Sequence, residues 1–87
     1  MVIWKFPLLP WKTEADMPEG AQILSSGVQG DTLVVWAMVD PSRKIRARRF
    51  NVLMTGEEFK DYQGAFIATV QLPNGIVCHI HDRGYAE

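Results

Sequence analysis

Arg43, Lys44, Arg46, Arg48 and Arg49 fall within seven consecutive positions, and they make up five of the nine Lys and Arg residues in the chain. The other four (Lys5, Lys12, Lys60 and Arg83) are outnumbered by ten Asp and Glu residues. A formal net charge of −1 therefore conceals a basic patch on an acidic body. Such a patch attracts anionic partners and raises their encounter rate. Arginine suits oxyanions, because its planar guanidinium donates two parallel hydrogen bonds to a phosphate or carboxylate. An aromatic ring nearby would stack on a base. The candidate ligand-binding set is therefore Lys44, Arg46, Arg48 and Arg49, with Trp36 and Tyr62 as the stacking aromatics. The competing structural reading is an edge strand protected by charge, with arginine stems covering apolar surface.

The remaining reactive residue types do not assemble a catalytic pattern. His79 and His81 share one side of a strand and Cys78 takes the other. Two histidines supply only part of a metal site, with Asp61 or Glu58 as guesses for a third ligand. No second Cys- or His-rich element completes a zinc pattern, so no metal site is assigned. Cys78 reads as a small core hydrophobe. Ser25 and Ser26 lack the context of a nucleophile elbow. Gly27 and Gly30 lack the spacing of a phosphate loop. No catalytic residue and no cofactor is assigned, and the expectation is a binding protein without enzymatic activity.

The basic residues need a scaffold, and the pattern around them is that of strands. Val2 to Leu9 is short, apolar and aromatic, and reads as an edge strand ending near Pro7. Trp11 to Gly20 reads as a loop, with one weak helical signal after Thr13. Ala21–Gln29 and Thr32–Asp40 read as strands joined at Gly30-Asp31, and the second is apolar on both faces. Trp4 and Trp36 are expected in the core and Trp11 in an exposed loop. Ile45 to Met54 is the basic strand. On it Lys44, Arg46 and Arg48 share a face with Phe50 and Val52, while Arg43 and Arg49 share the other with Ile45, Ala47 and Leu53. Which face looks inward is open at this level. Thr55-Gly56-Glu57-Glu58 fits a helix-capping pattern, so a short helix is expected through Tyr62. Ala65–Leu72 and Ile76–Asp82 form a hairpin around Asn74-Gly75, with Phe66, Ala68, Val70 and Leu72 on one face. The expected fold is all-β: a small barrel or sandwich of five to six strands with one short helix.

Size and composition set the outer limits. Eighty-seven residues allow one domain, 1–87, with a limited core. Open sheet edges and a small core together favour a homo-oligomer. One cysteine permits no intrachain disulfide, which fits a reducing cytoplasm. No apolar run approaches the roughly 18 residues of a membrane span. The first residues lack the pattern of a signal peptide. An acidic pI of about 6.1 and the lack of a nucleic-acid-binding motif rank nucleic acid behind an anionic small molecule or a protein partner.

Several short segments occur in a characteristic order. They are Ile3-Trp4-Lys5-Phe6-Pro7-Leu8, Met17-Pro18-Glu19-Gly20-Ala21-Gln22-Ile23-Leu24 and Trp36-Ala37-Met38-Val39-Asp40-Pro41. Arg48-x-Phe50 leading to Thr55-Gly56, Phe66-Ile67-Ala68-Thr69 and Val77-Cys78-His79-Ile80 complete the series. This order resembles a family of short bacteriophage and prophage proteins, although Met54 stands where that pattern favours glycine. The resemblance implies expression in the cytoplasm of an infected bacterium. It suits a small binding protein that counteracts host defence, capturing an anionic nucleotide-like ligand or blocking a host protein.

Overall fold

Alternation of apolar and polar residues along short runs favours strands, and strands this short must pair widely to bury a core. The computed structural model describes residues 1–87 and contains seven strands and no helix. They are β1 (Val2–Leu8), β2 (Glu14–Pro18), β3 (Gln22–Gln29), β4 (Thr32–Val39), β5 (Ile45–Met54), β6 (Ala65–Gln71) and β7 (Val77–Tyr85). All pairings are antiparallel and form two sheets, ordered β1-β4-β3 and β2-β5-β7-β6.

The sheets face each other across one core. The first contributes Phe6 and Leu8 from β1 with Val35, Ala37 and Val39 from β4. The second contributes Ala15 and Met17 from β2, Phe50 from β5, Val70 from β6, and Cys78 and Ile80 from β7. At one seam β3 lies alongside β6, and at the other β1 lies near β2. Neither seam carries a β-ladder, so the fold is an open sandwich and not a closed barrel.

Several expectations need correction. The first concerns strand number, which is seven and not five or six. The extra strand is β2, within the stretch expected to be a loop. Its first four residues alternate, with Glu14 and Asp16 exposed and Ala15 and Met17 buried, but the turn residues Pro18 and Gly20 dominate the local signal. The second is the short helix after Thr55, which does not form. Glu57 N–H donates to Met54 O and the Glu57 carboxylate accepts from Met54 N–H, closing one turn, while Gly56 adopts φ 89°. The tertiary structure shows what the segment does instead. β5 and β6 flank β7 on opposite sides and run the same way, so residues 55–64 must cross over β7. That crossing runs back from the level of Cys78 to that of Asp82, about 13 Å along the strand and about 10 Å across it. The third is the face of Phe66. A bulge between Phe66 and Ala68 turns Phe66 to the outer face, away from Val70.

The crossover fixes one glycine tightly. Gly64 adopts φ 102°, and a Cβ there would stand 2.3 Å from the backbone oxygen of Asp82. The crossing backbone thus lies directly on β7. The hairpin turn is also wider than the two residues expected: Leu72 N–H donates to Ile76 O and Gly75 N–H to Leu72 O, enclosing Pro73-Asn74-Gly75.

Candidate functional site

β5 carries the arginines, and its neighbours decide which way they point. Directly opposed residues on paired strands share a face. Met17 opposes Arg46 and Ala15 opposes Arg48, and both partners are core residues. Arg46 and Arg48 therefore point between the sheets, at the end of the sandwich beyond Phe50. Tyr85 of β7, opposite Arg48, receives them. The Arg48 guanidinium lies 4.5 Å from the Tyr85 ring centre and that of Arg46 lies 5.2 Å from it.

Burial of these charges requires partners, and the fold supplies them. Arg48 Nε donates to Asp82 Oδ1 at 2.9 Å and Nη2 to Asp82 Oδ2 at 2.6 Å, a two-pronged ion pair. Arg48 Nη1 donates to the Ala21 carbonyl at 3.1 Å. Arg46 Nη2 donates to the Ala86 carbonyl at 2.9 Å. The Tyr85 hydroxyl accepts from Ala21 N–H at 3.0 Å and donates to the Pro18 carbonyl. The two side chains of the ion pair are only 13% and 15% exposed. Burial pushes the Asp82 carboxyl up, but hydrogen bonds from Arg48 and from Gly84 N–H outweigh it and hold it below its ordinary value of 3.8. The bond to Asp82 likewise raises Arg48 above its usual range.

The opposite end of the sandwich is built differently. There the two sheets splay and leave a cavity of about 490 Å³. Leu8 and Leu33 of the first sheet and Val52 and Cys78 of the second form its walls, and Leu72 and Ile76 of the last hairpin close one side. Asp31 and Glu57 are the only charged side chains that line it, and both are exposed at its mouth. Cys78 is buried in the wall. Desolvation, with the Glu57 charge adding to it, pushes its thiol up from 9.0, which keeps it a protonated, unreactive group. Volume and lining match those of small-ligand pockets.

The model of a domain family of unknown function, DUF7352, matches residues 1–87. The chain belongs to that family. No curated protein and no solved structure matches it.

This DUF7352 domain distributes the six sequence-selected residues over five places. Arg46 and Arg48 meet at Tyr85. Lys44 is exposed in the turn before β5. Arg49 lies on the outer face of the four-stranded sheet, opposite Gly84. Trp36 is on the outer face of the other sheet, where its ring covers Gly27 at 3.1 Å from the position of a Cβ. Tyr62 projects from the crossover and is 81% exposed. Neither selected aromatic joins the Arg46–Arg48 pair. The expectation that Trp36 belongs to the core is also revised, since it sits half-buried on an outer face.

His79 and His81 occupy one face, as alternation requires. Both ring nitrogens of His79 are engaged by threonine hydroxyls, with Thr55 Oγ1 at 2.8 Å from Nε2 and Thr69 Oγ1 at 3.0 Å from Nδ1. No three His, Cys, Asp or Glu side chains converge at a point suited to a metal ion. No helix is long and apolar enough to cross a membrane.

Sequence reasoning missed Tyr85 and Asp82 as partners of the arginines, and missed the cavity altogether. A signal for the first existed: the chain's last strand carries an acid and an aromatic flanking Arg83-Gly84, which could have answered Arg46-x-Arg48. The cavity had none, because its walls come from five separate segments.

Proposed function

We propose that the protein is a non-catalytic binding domain whose ligand enters the cavity between Leu8, Leu33, Val52 and Cys78. One observation carries this reading. A cavity of about 490 Å³, lined mainly by apolar side chains from both sheets, has Asp31 and Glu57 as its only charged lining residues. An apolar ligand would bury its body against the aliphatic walls, at about 25 cal/mol per Å² removed from water. The two carboxylates would favour a neutral or cationic head group over an anion. The polar groups at the other end are already bonded to one another, so they add little to binding.

The resemblance to phage and prophage proteins supports a setting in the cytoplasm of an infected bacterium, with a host molecule as the ligand. The test is an amide-resolved NMR titration with hexylammonium and with hexanoate. Shifts at Thr32, Leu33 and Cys78 should saturate at lower hexylammonium than hexanoate concentration. Combining Asp31→Asn with Glu57→Gln should remove that preference. Equal binding of both probes by the natural chain, or shifts confined to other residues, would overturn the reading.

A further inference from the structure

β1 is an edge strand: it pairs with β4 on one side and with no strand on the other. Alternation along an antiparallel strand fixes which backbone groups lie on the free side. Pro7 has no N–H to give β4. Leu9, two residues on, exchanges backbone hydrogen bonds of 3.1 and 3.2 Å with Lys12, on the side away from β4. Ile3 and Lys5 share that parity, so their N–H and C=O groups also point off the sheet. None of the backbone hydrogen bonds outside the strand ladders engages them.

Side chains on the same half of the strand are uncovered too. Val2 and Trp4 oppose Val39 and Ala37 of β4, both core residues, and so face the same way as Phe6 and Leu8. Phe6 and Leu8 are 9% and 3% exposed, yet Val2 and Trp4 are 42% and 40% exposed. The inner face of β1 thus continues past the cover of the second sheet. Sheet edges are ordinarily guarded by charge, proline or a bulge. Here Pro7 guards one half of the strand, and the ladder with β4 has no bulge. The only charge on β1 is Lys5, whose Nζ is fastened to the Gln29 side chain. The half from Val2 to Lys5 is left open.

We propose that this open half of β1 is a dimerisation edge, taken by β1 of a second copy of the chain in antiparallel pairing about a two-fold axis at Trp4. Ile3 of each copy then opposes Lys5 of the other, and each such pair exchanges both of its free backbone hydrogen bonds. On the inner face Trp4 meets Trp4 and Val2 meets Phe6, apolar against apolar. The register is selective. A shift that set Lys5 opposite its own copy would oppose like charges and place Pro7, without an N–H, against Ile3. A second copy is favoured over a foreign strand because the edge answers itself: one segment supplies donors, acceptors and apolar face in matching order. A contact of this isologous kind closes at two copies and joins two three-stranded sheets into one continuous sheet. Residues 2–7 do not line the cavity, so the dimer stands or falls independently of the proposed cavity ligand.

The test is sedimentation of the full chain from about 10 µM to about 1 mM, a range that reaches even millimolar dissociation constants. The average mass should rise from monomer toward dimer. In a mixture of ¹³C-labelled and unlabelled chains, isotope-filtered NOEs should connect the Val2 methyl groups of one copy to the Phe6 ring of the other. Ile3→Pro removes an edge N–H without touching the β4 ladder, and should weaken association at least about tenfold, because symmetry removes that bond twice. Leu24→Lys, at an exposed position on β3 at the far edge of the same sheet, should leave association unchanged. A monomeric mass at every concentration would overturn the proposal and leave the edge to an extended segment of another protein. So would a dimer that lacks the Val2–Phe6 contact, forms equally well in Ile3→Pro, or is weakened by Leu24→Lys instead. The filtered spectrum of the natural chain decides the matter even if a variant folds poorly.

Discussion

The two ends of the sandwich solve opposite problems. At one end, β5 and β7 bring two arginines, an aspartate and a tyrosine together between the sheets, where Arg48 bonds Asp82 and the Ala21 carbonyl, Arg46 bonds the Ala86 carbonyl and Tyr85 bonds the Pro18 carbonyl. At the other, the same two strands present Val52, Met54 and Cys78 to a cavity that nothing in the chain fills. The comparison separates charge density from availability. A cluster of arginines attracts attention in a sequence, yet a guanidinium already bound to a carboxylate has little left to offer a ligand. A set of ordinary aliphatic residues attracts none, yet their uncovered surfaces are where a ligand would gain most.

The sharpest way to break this comparison is to remove one partner of the ion pair. Arg48→Met would leave the Asp82 carboxylate buried without its counter-charge, at a cost of about 3–5 kcal/mol. Urea unfolding should show a midpoint far below that of the natural chain. By contrast, Asp31→Asn at the cavity mouth should move stability by no more than about 0.5 kcal/mol. A small effect of Arg48→Met would mean that the basic end is free for ligands after all.

Acid titration probes the same pair without mutation. Asp82 has a folded-state value lowered from 3.8, so its unfolded form binds protons more readily. Its contribution is present above 3.8 and is lost as the pH falls below that value through the folded one. Asp82→Asn should flatten this part of the stability profile, measured by thermal unfolding between pH 5 and pH 2. An unchanged slope would show that other carboxylates govern the acid limb.

Tyr85→Phe keeps the ring under both guanidinium groups and removes the hydroxyl that bridges Ala21 and Pro18. The expected loss is about 1–2 kcal/mol, because two buried backbone groups lose their partner. A modest effect is expected at the cavity wall. Leu72→Ala should cost about 1 kcal/mol, well under the 2–5 kcal/mol typical of Ile80→Ala in the packed centre. Leu72 already faces open space on one side, so its truncation forfeits fewer contacts. Equal losses at Leu72 and Ile80 would show that the cavity collapses in solution.

Much of the fold was legible because strand periodicity is local. The division of β5 into an Arg46–Arg48 face and an Arg49 face followed from alternation alone, and the tertiary structure keeps it. Failures occurred where a distant segment overruled local preference. The capping pattern at Thr55 was sound chemistry, and Glu57 does bond back to Met54, but the segment crosses β7 without winding into a helix. Phe66 changed face through a bulge that no local pattern announced. Of the candidate site, the residue types were readable and their partners were not. Arg46, Arg48 and Arg49 lie within four consecutive positions, yet two point between the sheets and one lies on the outer face.

By itself the sequence determined the all-β class, the concentration of positive charge on one strand and the two-faced pattern of that strand. These depend on side-chain order along an extended backbone, which repeats every two residues wherever the strand lies. Only the tertiary structure decided which face looks inward, which arginines find Asp82 and Tyr85, and where the sheets part to leave a cavity. Those outcomes depend on contacts between segments tens of residues apart, and a local pattern carries no record of the neighbour it will meet.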